Sequence, residues 1–436
     1  MAKDQDRPVW GTGKLIKSLN RSRILEHLQR AGPLSRVELA DRTGISLPAV
    51  SQLVREMEAE GLVVCVGEGE STGGRRPALY AYNARLAYVV GVDLGGTKVA
   101  GGVSDLEGNL VATATISTHV EDGEEPVEER VKGLILHLLD QAGLGLEKVM
   151  GIGIGVPGIP DPEGRSVSLA PGLARPAREG SPAGGATPSA GHGGPVPGSI
   201  PLGEYLRAEL ERPVHMENDV NTILRGEHWK GALRGVTDGA CVTIGTGIGV
   251  GLLLNGEVYR GAHGAAGEIG YWLIGALGPI ARAEGYGPLE TFAAGPGIAR
   301  RFLARMRALG RPSMVLDLAG GREEAITARL VAEAAAQGDP LAMEVWRETA
   351  EMVGIALANL CSLIDPEVLV IGGGVARAPE PLFLEPVRQI IETLVPYPPR
   401  VVPSELGEEA GILGAVATVL DSRRDSISFV RAGVGG

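Results

Sequence analysis

Cysteine is scarce in this chain, and long apolar runs are missing. Of 436 residues only Cys65, Cys241 and Cys361 are cysteines. They lie far apart, each in an apolar run and none in a C-x-x-C pair. This excludes a disulfide framework or a thiolate cluster and predicts three reduced core thiols. No stretch of about 18 uninterrupted apolar residues could span a bilayer. The opening MAKDQDRPVW lacks the apolar core of a secretory signal, so the expectation is a cytoplasmic protein without a membrane partner. Disorder of the whole chain is excluded as well, with 44% hydrophobic against 22% charged residues. A chain of 436 residues exceeds one ordinary core, which predicts two or three domains.

Positive charge is the third shortage. A formal net charge of -12 argues against a nucleic-acid partner until it is divided along the chain. Residues 1–85 carry 13 Lys and Arg against 10 Asp and Glu, whereas the remainder carries 28 against 43. Only the front segment tolerates a phosphate backbone.

What the front segment does contain is three helical patterns and a Gly-rich hairpin. Residues 20–31 place Ile24, Leu25 and Leu28 at helical spacing before Gly32-Pro33 stops them. Ser35 with Glu38 three residues on forms a capping box for a second helix, which Gly44 closes. Ser46 opens a third helix with Val50, Leu53, Val54 and Met57 as its buried stripe. That leaves Ser46, Pro48, Ala49, Ser51, Gln52 and Arg55 facing outward, small and polar enough to enter a major groove. LVVCV and ALYAYN flank GEGESTGGRRP as two strands around a wing, where Arg75 and Arg76 can reach phosphates or the minor groove. Any amphipathic three-helix segment resembles a helix-turn-helix; the wing and the local charge reversal favour the DNA-binding reading.

The remainder repeats one pattern. YVVGVD, LGGTK, VAGGVS, DLEGN and LVATATIS read as a three-stranded meander with a Gly turn. ACVTIGTGIGVGLLLNGEVYRG reads as a second copy with an Asn-Gly hairpin, suggesting two similar lobes. Gly95, Gly96, Gly245, Gly247 and Gly249 let the backbone approach a ligand, and Thr97 and Thr246 add hydroxyls, a set suited to phosphates. VLVIGGGVA at 368–376 could floor a nucleobase. Any one of these runs is also explained by a tight turn with no ligand. Walker and G-x-G-x-x-G patterns are absent from the turns. Between the meanders, Glu217, Asn218, Asp219 and Asn221 suit a polyhydroxylated ligand, with Asp219 able to take a hydroxyl proton. Asn218 or Asp219 as a plain helix cap is the alternative.

These motifs together resemble the ROK family of repressors, open reading frames and sugar kinases, over nearly the whole chain. GVDLGGTK and TIGTGIGVG are similar to its two phosphate motifs, GIGVPG (Gly153 to Gly158) to its sugar-side loop and ENDVN to its catalytic-acid motif. GAAGEIGY is similar to its sugar-contact segment, IGGGV to its adenosine motif and GEEAGILGA (Gly407 to Ala415) to its C-terminal signature. LSRVELADRTGIS and the GGRRP link resemble the repressor branch.

The resemblance implies an α/β chain: a winged helix-turn-helix at 1–85 and a two-lobed actin/hexokinase-like (ribonuclease H-like) ATPase fold, with lobes at 86–215 and 216–436. It implies a sugar or sugar phosphate held by Asn218, Asp219, Glu268, Glu290 and Gly158, with Asp219 as general base in a kinase. ATP, with magnesium, would lie on Asp93, Gly95, Gly96, Thr97, Lys98, Gly245, Thr246, Gly247, Gly372 and Gly373.

Two departures stand out. Tyr271 replaces the family's zinc-binding His, and GPIARAEGYGPLE replaces its cysteine segment, so no structural zinc is expected. Residues 174–199 form an insertion in which 20 of 26 are Ala, Gly, Pro or Ser, expected as a mobile linker or a lid. The predicted function is a sugar-responsive repressor of carbohydrate-use genes. It binds a palindromic operator as a homodimer or homotetramer, with coupling through LYAYN and the GVDLGG sheet. The alternatives are an ATP-dependent sugar kinase with a DNA-binding head and a scaffold that senses no small molecule.

Overall fold

The computed structural model describes residues 13–70, 76–118, 126–168, 199–273, 287–310 and 313–422. The front segment comprises α1 (Gly13–Ala31), β1 (Leu34–Ser35), α2 (Arg36–Thr43), α3 (Leu47–Ala59), β2 (Val63–Glu68) and β3 (Ala78–Tyr82). The first helix begins seven residues earlier than its apolar spacing indicated, because Leu15, Ile16 and Leu19 lie on an exposed face that adds nothing to the core stripe. The capping box is present: Glu38 N donates to Ser35 Oγ at 3.2 Å, and Ser35 N donates to Glu38 Oε2 at 2.8 Å. Gly44, at φ 70°, turns the chain toward α3, whose Val50, Leu53, Val54 and Met57 are buried. The wing sheet has three strands in the order β1-β3-β2, one more than the hairpin legible in the sequence, since a two-residue strand carries no periodic signal. Cys65 is a correction: it lies exposed on β2, an outer strand that buries only Val63.

A 3-10 turn at Ala84–Leu86 leads into the first sheet. Its elements are β4 (Tyr88–Leu94), β5 (Lys98–Asp105), β6 (Leu110–Ser117), α4 (Val127–Ala142) and β7 (Val149–Val156). The short β8 (Ile159–Pro160) and β9 (Val167–Ser168) follow, then α5 (Leu202–Leu210) and β10 (Val214–Asn218). The helix α6 (Asp219–Lys230) crosses to the second sheet of β11 (Gly239–Ile244), β12 (Ile248–Leu254) and β13 (Glu257–Val258). Next come α7 (Pro288–Ala293), α8 (Gly295–Leu309), α9 (Met314–Leu318), α10 (Ala328–Ala336) and α11 (Pro340–Ile364). The described chain ends with β14 (Val368–Gly372), α12 (Leu384–Leu394), β15 (Arg400–Pro403) and α13 (Glu409–Ser422).

The two sheets repeat each other. Their orders are β6-β5-β4-β7-β10 and β13-β12-β11-β14-β15: an antiparallel meander extended on its first strand by two parallel strands. The internal repeat read from the two Gly-turn meanders is therefore a repeat of whole sheets. Between them α6 and α13 pack backbone to backbone at Gly414, where a Cβ would stand 1.6 Å from Thr222 O. The second sheet carries the larger core, in which Trp346 of α11 meets Phe383 edge-on at 5.9 Å. No helix among the described residues is long and apolar enough to cross a membrane. The insertion at 174–199 lies outside the described residues except for Ser199.

Candidate functional site

The site is built at the start of α6. Parallel pairing of β10 with β7 sets Asn218 opposite Val156, so the strand end faces the loop after β7. There Gly158 takes φ +117°, a conformation that favours glycine, and its carbonyl accepts from Asn218 Nδ2 at 3.1 Å. Asn218 Oδ1 accepts from Val220 N at 3.0 Å and Asn221 N at 3.2 Å, so this residue is a helix cap as well as part of the site.

Asp219 is the first residue of α6, and its Oδ1 accepts from Val220 N at 2.9 Å. A helix N-terminus favours a carboxylate, yet burial, then the charges of Asp93 and Glu268, push this carboxyl up to about 7. Burial raises Asp93, near the end of β4, to about 6 against the opposing charge of Lys98. Glu268, at an exposed position, and Glu290 on α7 are also raised by desolvation. Asp219 feels both Asp93 and Glu268, and Glu290 feels Glu268, so the four predicted carboxylates share one electrostatic neighbourhood. Such a lining accepts hydroxyl protons and repels a bare anion. No three His, Cys, Asp or Glu side chains among the described residues stand close enough to hold a metal ion.

Glu290 reaches the second Gly turn. Its Oε2 accepts from Ile248 N at 2.7 Å, and Gly247 leaves it room, a Cβ there meeting Oε2 at 2.7 Å. The same turn is joined to α8 by Gly295 N donating to Gly245 O at 2.8 Å. The first Gly turn, Gly95 to Lys98, closes β4 on β5 and is braced by Thr118 Oγ1 donating to Gly95 O at 2.7 Å. Thr97 and Thr246 are exposed, and a Cβ at Gly245 would meet nothing within 4 Å, whereas one at Gly95 would stand 3.0 Å from Lys98 O. Gly372 ends β14, and Gly373, at φ +90°, lies against Ile244 of the neighbouring strand.

Sequence reasoning missed two partners, Glu408 and Gly411. Glu408 pairs with Lys98 at 3.1 Å and with Arg377 at 2.8 Å, tying the first phosphate motif to the segment after β14. Glu217, read from the sequence as part of the ligand-holding cluster, is instead buried and accepts from Arg260 Nε at 3.0 Å. Gly411 lies against the Asp93 carboxyl, where a Cβ would stand 2.5 Å from Cγ. Gly411 had a signal, since it stands inside GEEAGILGA. The partners of Glu408 could be found only in three dimensions. Tyr271 ends a 3-10 turn and is half exposed, while residues 274–286 of the segment replacing the cysteines lie outside the described residues.

On the front segment Ser46, Pro48, Gln52 and Arg55 are exposed on α3, with Ala49 and Ser51 half-buried beside them. Gln52 Nε2 donates to Glu56 Oε1 at 3.2 Å. Leu47, 44% exposed at the tip of the helix, belongs to the same face and was not anticipated. Arg76 is exposed at the wing base, and Arg75 lies outside the described residues.

A winged helix-turn-helix followed by two repeated sheets with a carboxylate-lined site defines a regulator built on an actin/hexokinase-like body. The chain belongs to the ROK family: the ROK family model matches residues 89–179 and 190–422, and a winged helix-turn-helix DNA-binding model matches 18–64. The xylose repressor of Caldicellulosiruptor bescii is 28% identical over 425 residues, 96% of this chain and 99% of the relative. A solved ROK family transcriptional regulator, a homologue of the E. coli MLC protein, superposes with a TM-score of 0.73 over 96% of this chain and all of its own; at 24% identity it carries the fold alone. A ROK family glucokinase from Streptomyces griseus, solved with glucose and AMPPNP, is 30% identical over 76% of this chain and 98% of its own, with a TM-score of 0.61.

Proposed function

We propose that this protein is a cytoplasmic, sugar-responsive repressor of carbohydrate-use genes. A domain at 1–85 binds operator DNA, and lobes at 86–215 and 216–436 hold the effector between them. The observation that carries the reading is one chain joining a capped helix-turn-helix and its wing strands to Asp219 at the start of α6, whose carboxyl is raised by burial and by the charges of Asp93 and Glu268. Asp219, Glu268 and Glu290 accept hydroxyl protons of the sugar, while Asn218, held by Gly158, fixes the loop over it. Paired α3 helices of a dimer or tetramer enter successive major grooves of a palindromic operator, and Arg76 contacts phosphate. Sugar shifts the population of DNA-competent conformations toward release. The test is operator-fragment binding by the purified chain with a panel of pentoses and hexoses. A change in affinity with one sugar class supports the reading; firm indifference to every sugar contradicts it.

One observation favours a second reading. A carboxyl raised to about 7 is poised to act as a general base near neutral pH. In a sugar kinase Asp219 would take the proton of the attacking hydroxyl. ATP, with magnesium, would supply the phosphoryl group on the turns at Gly95, Gly96, Thr97, Lys98, Gly245, Thr246 and Gly247, beside Gly372 and Gly373. ADP production at about 1–100 per second that vanishes in Asp219→Ala would establish this reading.

A further inference from the structure

The site lies at one end of α6, and the other end of that helix touches the linker to the DNA-binding head through a single turn. Twelve residues separate the ends, about 18 Å at the rise of an α-helix. At the far end Trp229 and Lys230 lean on the β5–β6 turn of the other lobe. Gly108, at φ +80°, makes room for them: a Cβ there would stand 2.5 Å from Trp229 Cη2 and 2.6 Å from Lys230 Cε. Trp229 packs in a small apolar cluster apart from the main cores, with Leu106 of the turn, Val89 of β4, Met150 of β7 and Val416 and Val419 of α13. Both helices that cross between the lobes therefore meet the turn at this cluster.

The turn is braced by its own hydrogen bonds. Asp105, buried, accepts from Glu107 N at 3.0 Å, Asn109 N at 2.9 Å and Asn109 Nδ2 at 2.9 Å, and Gly108 N donates to Asp105 O at 3.1 Å. On its outer side Leu106 N donates to Ala84 O at 3.0 Å, in the 3-10 turn of the linker. The linker is in turn tied to the head. Asn83 N donates to Leu62 O at 3.0 Å and Asn83 Nδ2 to Gly61 O at 2.8 Å, just past the end of α3 at Ala59. Packed and hydrogen-bonded groups thus run without a gap from Asp219 to the recognition helix.

We propose that Trp229 and Leu106 are positioning residues that convert the state of the sugar site into the position of the recognition helix, with the turn 105–109 as a rigid relay. The inference rests on the sugar-repressor reading. It moves the coupling from the continuous path of β3 into β4, which the sequence suggested, to a contact that only the fold creates. When α6 shifts against the first sheet on sugar binding, Trp229 displaces the turn, and Leu106 carries Ala84, Asn83 and the end of α3 with it.

The test uses the full chain and two variants that touch neither the sugar nor DNA. Gly108→Ala drives the turn off Trp229. Leu106→Pro removes the N–H that holds Ala84 at a turn position where proline is favoured. In both, sugar affinity should stay within about twofold of the parent; sugar-free operator affinity should stay so in Leu106→Pro, which unlinks the turn from Ala84, and should move toward the sugar-bound value in Gly108→Ala, which displaces the turn in advance. The sugar-induced change in operator affinity should fall at least fivefold, out of the roughly 5–150-fold range of such couplings. Trp229→Phe, which keeps an aromatic wedge, should retain most of the response. Parent-sized release in both variants would overturn the coupling and leave the repressor reading in place. Operator binding lost without sugar in Leu106→Pro would make the turn a plain support and overturn it too. A parent chain that binds sugar with operator affinity unchanged would overturn the repressor reading and the coupling together.

Discussion

Asp219 is held in a state that costs the folded chain stability. Its carboxyl goes from the usual 3.8 to about 7, so the native state binds this proton more tightly than the unfolded state does. The stability that this protonated carboxyl contributes is therefore present in full below about 4, falls as pH rises from there and is gone above about 7, the reverse of a salt-bridged aspartate. Asp93, raised to about 6, adds to the same trend over a narrower window. Asp219→Asn removes the charge but keeps the size. It should raise stability at pH 8 by at least about 1.4 kcal/mol, the equivalent of one pKa unit, and by little at pH 4. Denaturant melts at the two pH values would check this; an equal effect at both would contradict the burial account. At this scale the sequence was informative wherever a residue acts through its own short motif. Asn218 and Asp219 stand together because the chain places them together. Glu408 was illegible, because its partners Lys98 and Arg377 lie far away in the chain and only folding joins them.

Helices and strands bring those residues into range, and their packing sets how much substitution each tolerates. The α6–α13 crossing depends on the missing side chain at Gly414, where a methyl group would stand 1.6 Å from the Thr222 carbonyl oxygen. Gly414→Ala should destabilise the body by about 3 kcal/mol or leave it unfolded, seen as a lost thermal transition or low soluble yield. The capping box of α2 is a milder case. Ser35→Ala should cost the head about 1 kcal/mol in a denaturant melt, with no effect on sugar binding. Capping residues, Gly-closed turns and the Asn-Gly hairpin at Asn255 and Gly256 were readable because each encodes its conformation locally. The burial of Cys65 was misjudged because an apolar run does not say which strand of a sheet lies on the outside. β1 and the exposed first turns of α1 were missed for want of any buried periodicity.

For the whole molecule the decisive asymmetry is charge. Residues 1–85 carry a net +3 on a body of net -15, so DNA is drawn to the head and repelled by the body. Operator affinity should fall linearly with the logarithm of salt concentration. Arg55→Ala or Arg76→Ala should reduce the slope by about 1 for each phosphate the variant no longer neutralises, and titrations over a series of salt concentrations would resolve it. The repeat of two sheets was legible because both meanders keep their Gly turns in sequence. How the head joins the body was not, because Ala84 meets Leu106 only in three dimensions. The central claim, that a sugar held at Asp219 controls the grip of the head on DNA, is tested most directly by operator affinity with and without sugar in the parent and in Asp219→Ala. The account predicts a sugar-dependent change of at least about fivefold in the parent and none in the variant, with sugar-free affinity equal in both. An equal sugar response in the two proteins would contradict it.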